Sequence, residues 1–190
     1  MNPSSPHKGF ALLLALIVSS VVLAIGASIL SISINQVNLS STARESEFAF
    51  QAAHAGIDCL WYWRGEESDL YTATNVAESN PVINCFGGNP ITSSKVRIQQ
   101  TAGVGNTDLF SNVFEWGDPL RCTAVTMYVM NAYGGDLTTR FANKGIGNDG
   151  VKTCLSGNIC TVIVSDGYNR SCGEIYTSIF SVQREITLEF

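Results

Sequence analysis

Between Lys8 and Arg44 the chain carries no Lys, Arg, Asp or Glu, and within that interval Phe10–Ile34 reads FALLLALIVSSVVLAIGASILSISI. Its 25 residues have serine as their only polar side chain. A helix rises ~1.5 Å per residue, so this run covers the ~30 Å of a hydrocarbon core with length left for tilt. Serine is tolerated there because its hydroxyl bonds back to a carbonyl one turn earlier. The flanking charge is Lys8, beside His7. A cation at this end predicts residues 1–9 on the cytoplasmic side and the rest of the chain outside. Residues 1–43 hold one charge, whereas the remaining residues hold 10 positive and 16 negative ones. Such asymmetry excludes a uniform soluble globule. The acidic balance also argues against a protein that coats nucleic acid, which needs a basic face. Lys95, Arg97 and Arg121 are the only cations that suggest such contact, and no nucleic-acid partner is expected.

Three uses of the apolar run compete. It can be a plain signal anchor. It can be a secretory signal cut before Ala27, because Ala24-Ile25-Gly26 places small residues where signal peptidase reads them. The third use starts from the leader, MNPSSPHKG, which ends in Lys8-Gly9 and is followed at once by Phe10 and the apolar helix. This resembles the class III signal of type IV pilins and pseudopilins. The resemblance implies cleavage after Gly9 by prepilin peptidase, N-methylation of Phe10, and retention of the apolar segment as a helix that anchors and later packs a filament. Lys8 would be the basic residue of the leader. Most major pilins have glutamate at the fifth mature position, and here that position is Leu14, with no acid before Glu45. The resemblance therefore shifts toward minor pilins of the X type and K-type pseudopilins, some of which sit at a filament tip. RESEFAFQAAHAG is also similar to the start of the extracytoplasmic half-helix in X-type minor pilins.

Helical character continues past the membrane, since no proline occurs from Ala11 to Gly65. A helix from Phe10 to about Trp63 would be ~80 Å long, far beyond an ordinary globular helix. At about 100° per residue, Phe48, Ala52, Ala55, Cys59, Tyr62 and Trp63 fall on one stripe, and Phe50, His54, Ile57 and Trp61 on another. Two apolar stripes predict two dry partners, the chain's own β-domain and the helices of neighbouring subunits, with Phe50, Ile57 and Trp61 packing on the latter. Small residues recur every fourth position within the span, as Ala11, Ala15 and Ser19 and again as Ser20, Ala24 and Ser28, which lets helices approach closely in lipid.

Beyond Gly65 the pattern changes to strands. Lys95–Gln100, Cys122–Met130, Ile159–Ser165 and Ile175–Phe190 are alternating or β-branched, with glycine-rich turns between them. Residues 66–92 and 131–158 are expected to be long loops. The fold class is thus α+β and pilin-like, one long N-terminal helix whose outer half packs on a small antiparallel sheet with disulfide-bonded loops. Its parts are a leader (1–9), a transmembrane half-helix (10–34), an extracytoplasmic half-helix (35–63) and a β-rich ectodomain (64–190).

All six cysteines lie beyond the span, which suggests disulfides in an oxidising compartment. Sequence leaves fifteen pairings open. Geometry favours Cys59–Cys85, loop to helix end; Cys154–Cys160, flanking a Gly157-Asn158 turn and closing a small hairpin; and Cys122–Cys172, if Cys122–Met130 pairs antiparallel with Ile159–Ser165. A zinc site lacks CxxC spacing and histidine partners. No cofactor or metal is expected.

Other constellations are weak. His54 and Cys59 point about 140° apart on a helix, which disfavours a Cys/His nucleophile, and no strained turn supports a Ser/His/Asp triad. Gly145, Gly147 and Gly150 match GxGxxG without the helix such a phosphate loop needs, and Asn148-Asp149 offers calcium a single acid. Asn38-Leu39-Ser40 and Asn169-Arg170-Ser171 are sequons. Glu66, Glu67 and Asp69 form a solvated run. The expectation is a structural subunit and not an enzyme, a minor pilin or pseudopilin of a type IV pilus or a type II secretion-like filament, acting in assembly initiation, at the tip or in adhesion. It would sit in the inner membrane with its ectodomain outside, then at the cell surface in a filament with other pilin subunits as partners. The alternative is a membrane-anchored or secreted β-domain that binds a ligand and has no filament role.

Overall fold

The computed structural model describes residues 8–72, 81–88, 90–142 and 145–190. Residues 1–7 of the leader, and residues 73–80 and 89 of the stretch expected as loop 66–92, lie outside them. The first element is α1, Lys8–Glu66, 59 residues without a break. It runs three residues past the expected end at Trp63, and Gly65 and the Glu67 N–H to Trp63 carbonyl bond (2.9 Å) mark its close. A short α2, Ser68–Thr72, follows. Two units emerge, one ending at Arg44 and the other Glu45–Phe190, so the outer part of α1 belongs structurally to the second.

Nine strands are seen among the described residues. The main sheet has five antiparallel strands, β3 (Ser94–Thr101), β4 (Gly105–Trp116), β5 (Arg121–Asn131), β8 (Ile159–Tyr168) and β9 (Gln183–Glu189), in the order β3-β4-β5-β8-β9. Two small ladders join it, β1 (Val82–Ile83) with β2 (Ile91–Thr92), and β6 (Leu137–Arg140) with β7 (Val151–Cys154). The sheet has two covered faces. On one, Phe110, Phe114, Val125, Met127, Val129 and Ile163 pack against Ile57 and Leu60 of α1 and Tyr71 of α2, whose ring meets Phe110 edge-on at 4.8 Å. Burial pushes the Tyr71 phenol up to about 12. On the other, Met130, Val162 and Val164 are covered by Leu137, Phe141 and Ile146.

Where α1 crosses the sheet it presents small residues. Ala49, Ala52, Ala53, Gly56, Ile57 and Leu60 are buried, a single stripe at helical spacing. Strand β8 answers with Gly167 and Ser165, and β5 with Thr123, whose hydroxyl donates to the Ala52 carbonyl at 2.9 Å. This adjusts the two-stripe expectation. Ala52 and Ala55 of the first stripe are buried, and Cys59 and Trp63 pack on the core. Tyr62 is exposed, however, Ile57 of the second stripe lies in the core of its own domain, and the buried arc widens through Ala49, Ala53, Gly56 and Leu60.

Three further corrections concern the strands. β4 was not expected, since Asn106, Asp108, Asn112 and Glu115 break its apolar alternation. The stretch 131–158 contains the β6–β7 hairpin. Of Ile175–Phe190, only Gln183–Glu189 is strand, and the preceding residues form turns. Disulfides join Cys59 to Cys85, Cys122 to Cys172 and Cys154 to Cys160. β5 and β8 pair antiparallel, Cys122 opposite Tyr168 and Met130 opposite Cys160. The Cys154–Cys160 bond does not close a hairpin of its own flanks, however. β7 pairs with β6, so this bond ties the small hairpin to the start of β8.

Candidate functional site

In the first unit, the apolar side chains from Phe10 to Leu39 are exposed by 52% to 73% around the whole circumference of the helix. An uncovered helix that is apolar all round is stable only in lipid or against other helices. One helix among the described residues is long and apolar enough to cross a membrane, with a mean hydropathy of 2.7 in its most apolar window. Four of the five serine hydroxyls in Phe10–Ile34 bond back within the helix. Ser19 donates to the Ala15 carbonyl (2.7 Å), Ser20 to Ile17 (2.8 Å), Ser28 to Ala24 (2.9 Å) and Ser33 to Ile29 (3.0 Å). The rows Ala11, Ala15, Ser19 and Ser20, Ala24, Ser28 are therefore narrow and free of unmet donors toward a neighbour. Lys8 and Gly9 lie in the first turn of α1.

In the second unit, α1 leaves a face uncovered. Phe50 is 46% and Trp61 59% exposed, and His54 shares this side, its ring 6.3 Å from that of Phe50 and its Nδ1 3.0 Å from Asp58 Oδ2. His54, Asp58 and Trp61 border a groove of about 470 Å³ whose far wall is Leu188 and Phe190, with Ile57 at its floor. Leu188 sits on β9, an edge strand. Of the three expected packing residues, Phe50 and Trp61 lie on the open face and Ile57 is consumed by the core.

The nucleic-acid candidates are engaged within the chain. Arg97 donates to Asp108 through Nε (2.7 Å) and Nη2 (3.0 Å), Lys95 Nζ lies 3.6 Å from the same carboxylate, and Asn106 donates to it at 3.2 Å. Those bonds raise the Arg97 pKa above its ordinary value. The Lys95 and Asp108 side chains are both 1% exposed. The Arg121 guanidinium lies over the Phe48 ring at 4.4 Å and the Trp116 ring at 5.5 Å.

The glycine loop also folds onto its own chain. Gly147 N–H donates to Glu189 Oε1 (2.7 Å), Lys152 Nζ to Oε2 (2.8 Å), and Asn148 exchanges backbone bonds with Val151. Gly147 and Gly150 have positive φ, and a side chain at Gly147 would strike the Val151 carbonyl, so glycine is required by the turn. The donor a phosphate would use thus already holds a carboxylate. The bond from Lys152, then that from Gly147, holds the Glu189 carboxyl below its ordinary value. A lowered carboxylate contributes stability that is full above the ordinary glutamate range and is lost as pH falls through the lowered value. The Gly147 amide resonance is expected to titrate with a midpoint below that of a free glutamate and to stop titrating in Glu189→Gln. A midpoint at or above the ordinary value would contradict the clamp.

The second sequon is a structural asparagine. Asn169 is buried; its Nδ2 donates to Glu45 Oε2 (2.6 Å) and the Phe180 carbonyl (3.0 Å), and its Oδ1 accepts from Val182 N–H (2.7 Å). No bond is left for a glycan. Asn169→Ala orphans a carboxylate and an amide and is expected to cost about 1–3 kcal/mol. Urea unfolding of the detergent-solubilised chain checks this, and no change in midpoint would contradict it.

Both sulfurs of the helix-end pair are in a disulfide, which removes any Cys59 nucleophile. No group of three His, Cys, Asp or Glu side chains fit to hold a metal ion occurs among the described residues. Sequence reasoning missed one surface, the turn region between Cys172 and β9. Its Tyr176, Ile179 and Phe180 fall within the strand expected over Ile175–Phe190, yet they lie on turns and are 91%, 90% and 67% exposed. The signal was available in Cys172-Gly173 and in the absence of alternation through IYTSIF. No family model, no curated protein and no solved structure matches the chain.

Proposed function

We propose that the chain is a minor, non-enzymatic subunit of a type IV filament or a type II secretion-like pseudopilus, made as a prepilin and stored in the inner membrane. Prepilin peptidase would cut after Gly9 and methylate Phe10. One observation carries the reading. A single helix, uncovered and apolar all round at its start, continues into a segment that buries a small-residue stripe on a sheet and leaves Phe50 and Trp61 bare. Such a helix serves two environments in turn. Lipid covers Phe10–Ile34 before assembly, and neighbouring helices cover it afterwards, so extraction trades one apolar contact for another.

Leu14 supplies no carboxylate to pair with the terminal amine of a preceding subunit. The subunit is therefore suited to a place that needs no such neighbour, and initiation at the tip is the position we assign. Tagged chain expressed with a complete filament system is expected in the sheared filament fraction, far below the major subunit in amount. Gly9→Val should abolish that recovery, and Phe50→Ser with Trp61→Ser should lower it several-fold. Equal retention in the membrane for all three forms would contradict a filament role.

A further inference from the structure

The five-stranded sheet ends in β3 and β9, and the chain treats these two edges differently. β3 carries a register shift between Arg97 and Gln99, and Gln99 Nε2 donates across to the Thr138 carbonyl (3.0 Å). Bulges and covering groups close an edge to further strands. β9 has neither. Gln183–Glu189 pairs with β8 residue for residue, holds no proline, and is paired with β8 alone among the described strands. Thr161 and Phe190 exchange both backbone bonds (2.8 and 3.0 Å), which sets the alternation along this ladder. Leu188, Ile186 and Arg184 therefore bond to β8, and the N–H and carbonyl of Thr187 point away from it.

A strand added at this edge would meet different chemistry on its two faces. On the α1 side, Leu188 and Phe190 form one wall of the groove of about 470 Å³ that Ile57 and Trp61 also line. On the other side, Glu185 lies directly opposite Asp166. Like charges opposite one another in a sheet are destabilising. Burial first, and the repulsion of Glu185 after it, push the Asp166 carboxyl above its ordinary value, although Gln183 Nε2 donates to it at 2.8 Å. The other charges of β9 are turned onto the chain itself. Arg184 Nε donates to Ser46 Oγ (2.8 Å), and Glu189 accepts from Lys152 and Gly147.

We infer that the open edge of β9 takes an extended segment of a partner protein as an added strand, one in which apolar and basic residues alternate. Its backbone bonds Thr187, its apolar side chains enter the groove beside Leu188, and its basic ones lie over Glu185 and Asp166. Backbone bonds give strand addition its affinity, and alternate side chains give it selectivity. Charge selects the partner over a second copy. In an antiparallel pair with another β9, the same face would offer only Gln183, Glu185, Thr187 and Glu189, none of them a cation. Every residue involved belongs to the second unit.

The test uses the full chain in detergent micelles and a synthetic peptide that alternates valine with lysine. One control peptide alternates valine with glutamate, and another holds the same valines and lysines in two blocks. Amide hydrogen exchange reads the outcome. The alternating lysine peptide is expected to slow exchange at Thr187 several-fold and to leave Leu188, already bonded to β8, as it was. Both control peptides should leave Thr187 unchanged. Glu185→Lys should reverse the preference between the lysine and glutamate peptides. Thr187→Pro removes only an outward N–H, which an edge strand tolerates, and should abolish binding at an unaltered urea midpoint. Exchange at Thr187 that no peptide slows, or that all three slow equally, overturns the proposal. Protection that appears without peptide and grows with chain concentration overturns it in favour of self-pairing.

Discussion

Gly167→Val is expected to unfold the β-domain. Gly167 lies on β8 directly under α1, where a side chain would meet the Ala49 carbonyl and the Ala53 amide. Those are backbone atoms of a helix held by Thr123 through Ala52 and by Arg64, whose Nε lies 3.4 Å from Thr161 Oγ1, so neither side can yield by a rotamer change. Overpacking a core usually costs about 1–3 kcal/mol through side-chain and backbone shifts. Here the whole helix must lift, and the stripe Ala49, Ala52, Ala53, Gly56 loses its contact together, so the expected loss is at the top of that range or above. Gly173→Ala is the matched control, with open space at its Cβ and no positive φ, and should fall within about 0.5 kcal/mol of the parent. Tryptophan fluorescence during urea unfolding of the solubilised chain reads both. Equal midpoints for the two variants would refute the close helix–sheet approach.

Asp108→Ala should be nearly as damaging for an electrostatic reason. Asp108 is the carboxylate around which Arg97, Lys95 and Asn106 are gathered, with Lys95 also lying 5.6 Å from the Phe110 ring. Removing one partner of a buried ionic group leaves charge in a poorly solvated place and costs about 3–5 kcal/mol. Removing the cation as well relieves part of that, so Asp108→Ala with Arg97→Ala should lose less than the sum of the two single changes. Strict additivity in the double-mutant cycle would mean that the pair does not interact. The same geometry explains why Lys95 and Arg97 do not form a basic surface: both are spent on holding β3 to β4.

Much of this architecture could be read from residues. Phe10–Ile34 and the missing prolines specify α1. The branched runs Cys122–Met130 and Ile159–Ser165 specify two central strands, and the pairing of Cys122 with Cys172 follows once those strands are set antiparallel. What escaped has common physical causes. Burial on α1 is assigned to alanine and glycine, whose small side chains carry little hydropathy, so a stripe search prefers Phe48 and Phe50 on either side. β4 hides its strand character behind Asn106, Asp108 and Asn112, buried polar residues with partners inside the fold: Arg97 and Asn106 donate to Asp108, and Ser93 Oγ donates to Asn112 Oδ1 at 2.8 Å. Four-residue strands such as β6 and β7 are too short to show a period. The exposed Tyr176, Ile179 and Phe180 look like core in a sequence, since hydropathy does not say which apolar residues find a partner inside the chain.

The central claim, that this helix belongs to a filament system and not to a simple anchor, is tested most directly at Gly9-Phe10. Mass spectrometry of the N-terminal peptide, from cells with and without prepilin peptidase, reads the outcome in one spectrum. The account predicts a chain beginning at methylated Phe10 when the peptidase is present and an uncut leader when it is absent. An intact Met1 in both, or a start at Ala27 in either, would contradict it.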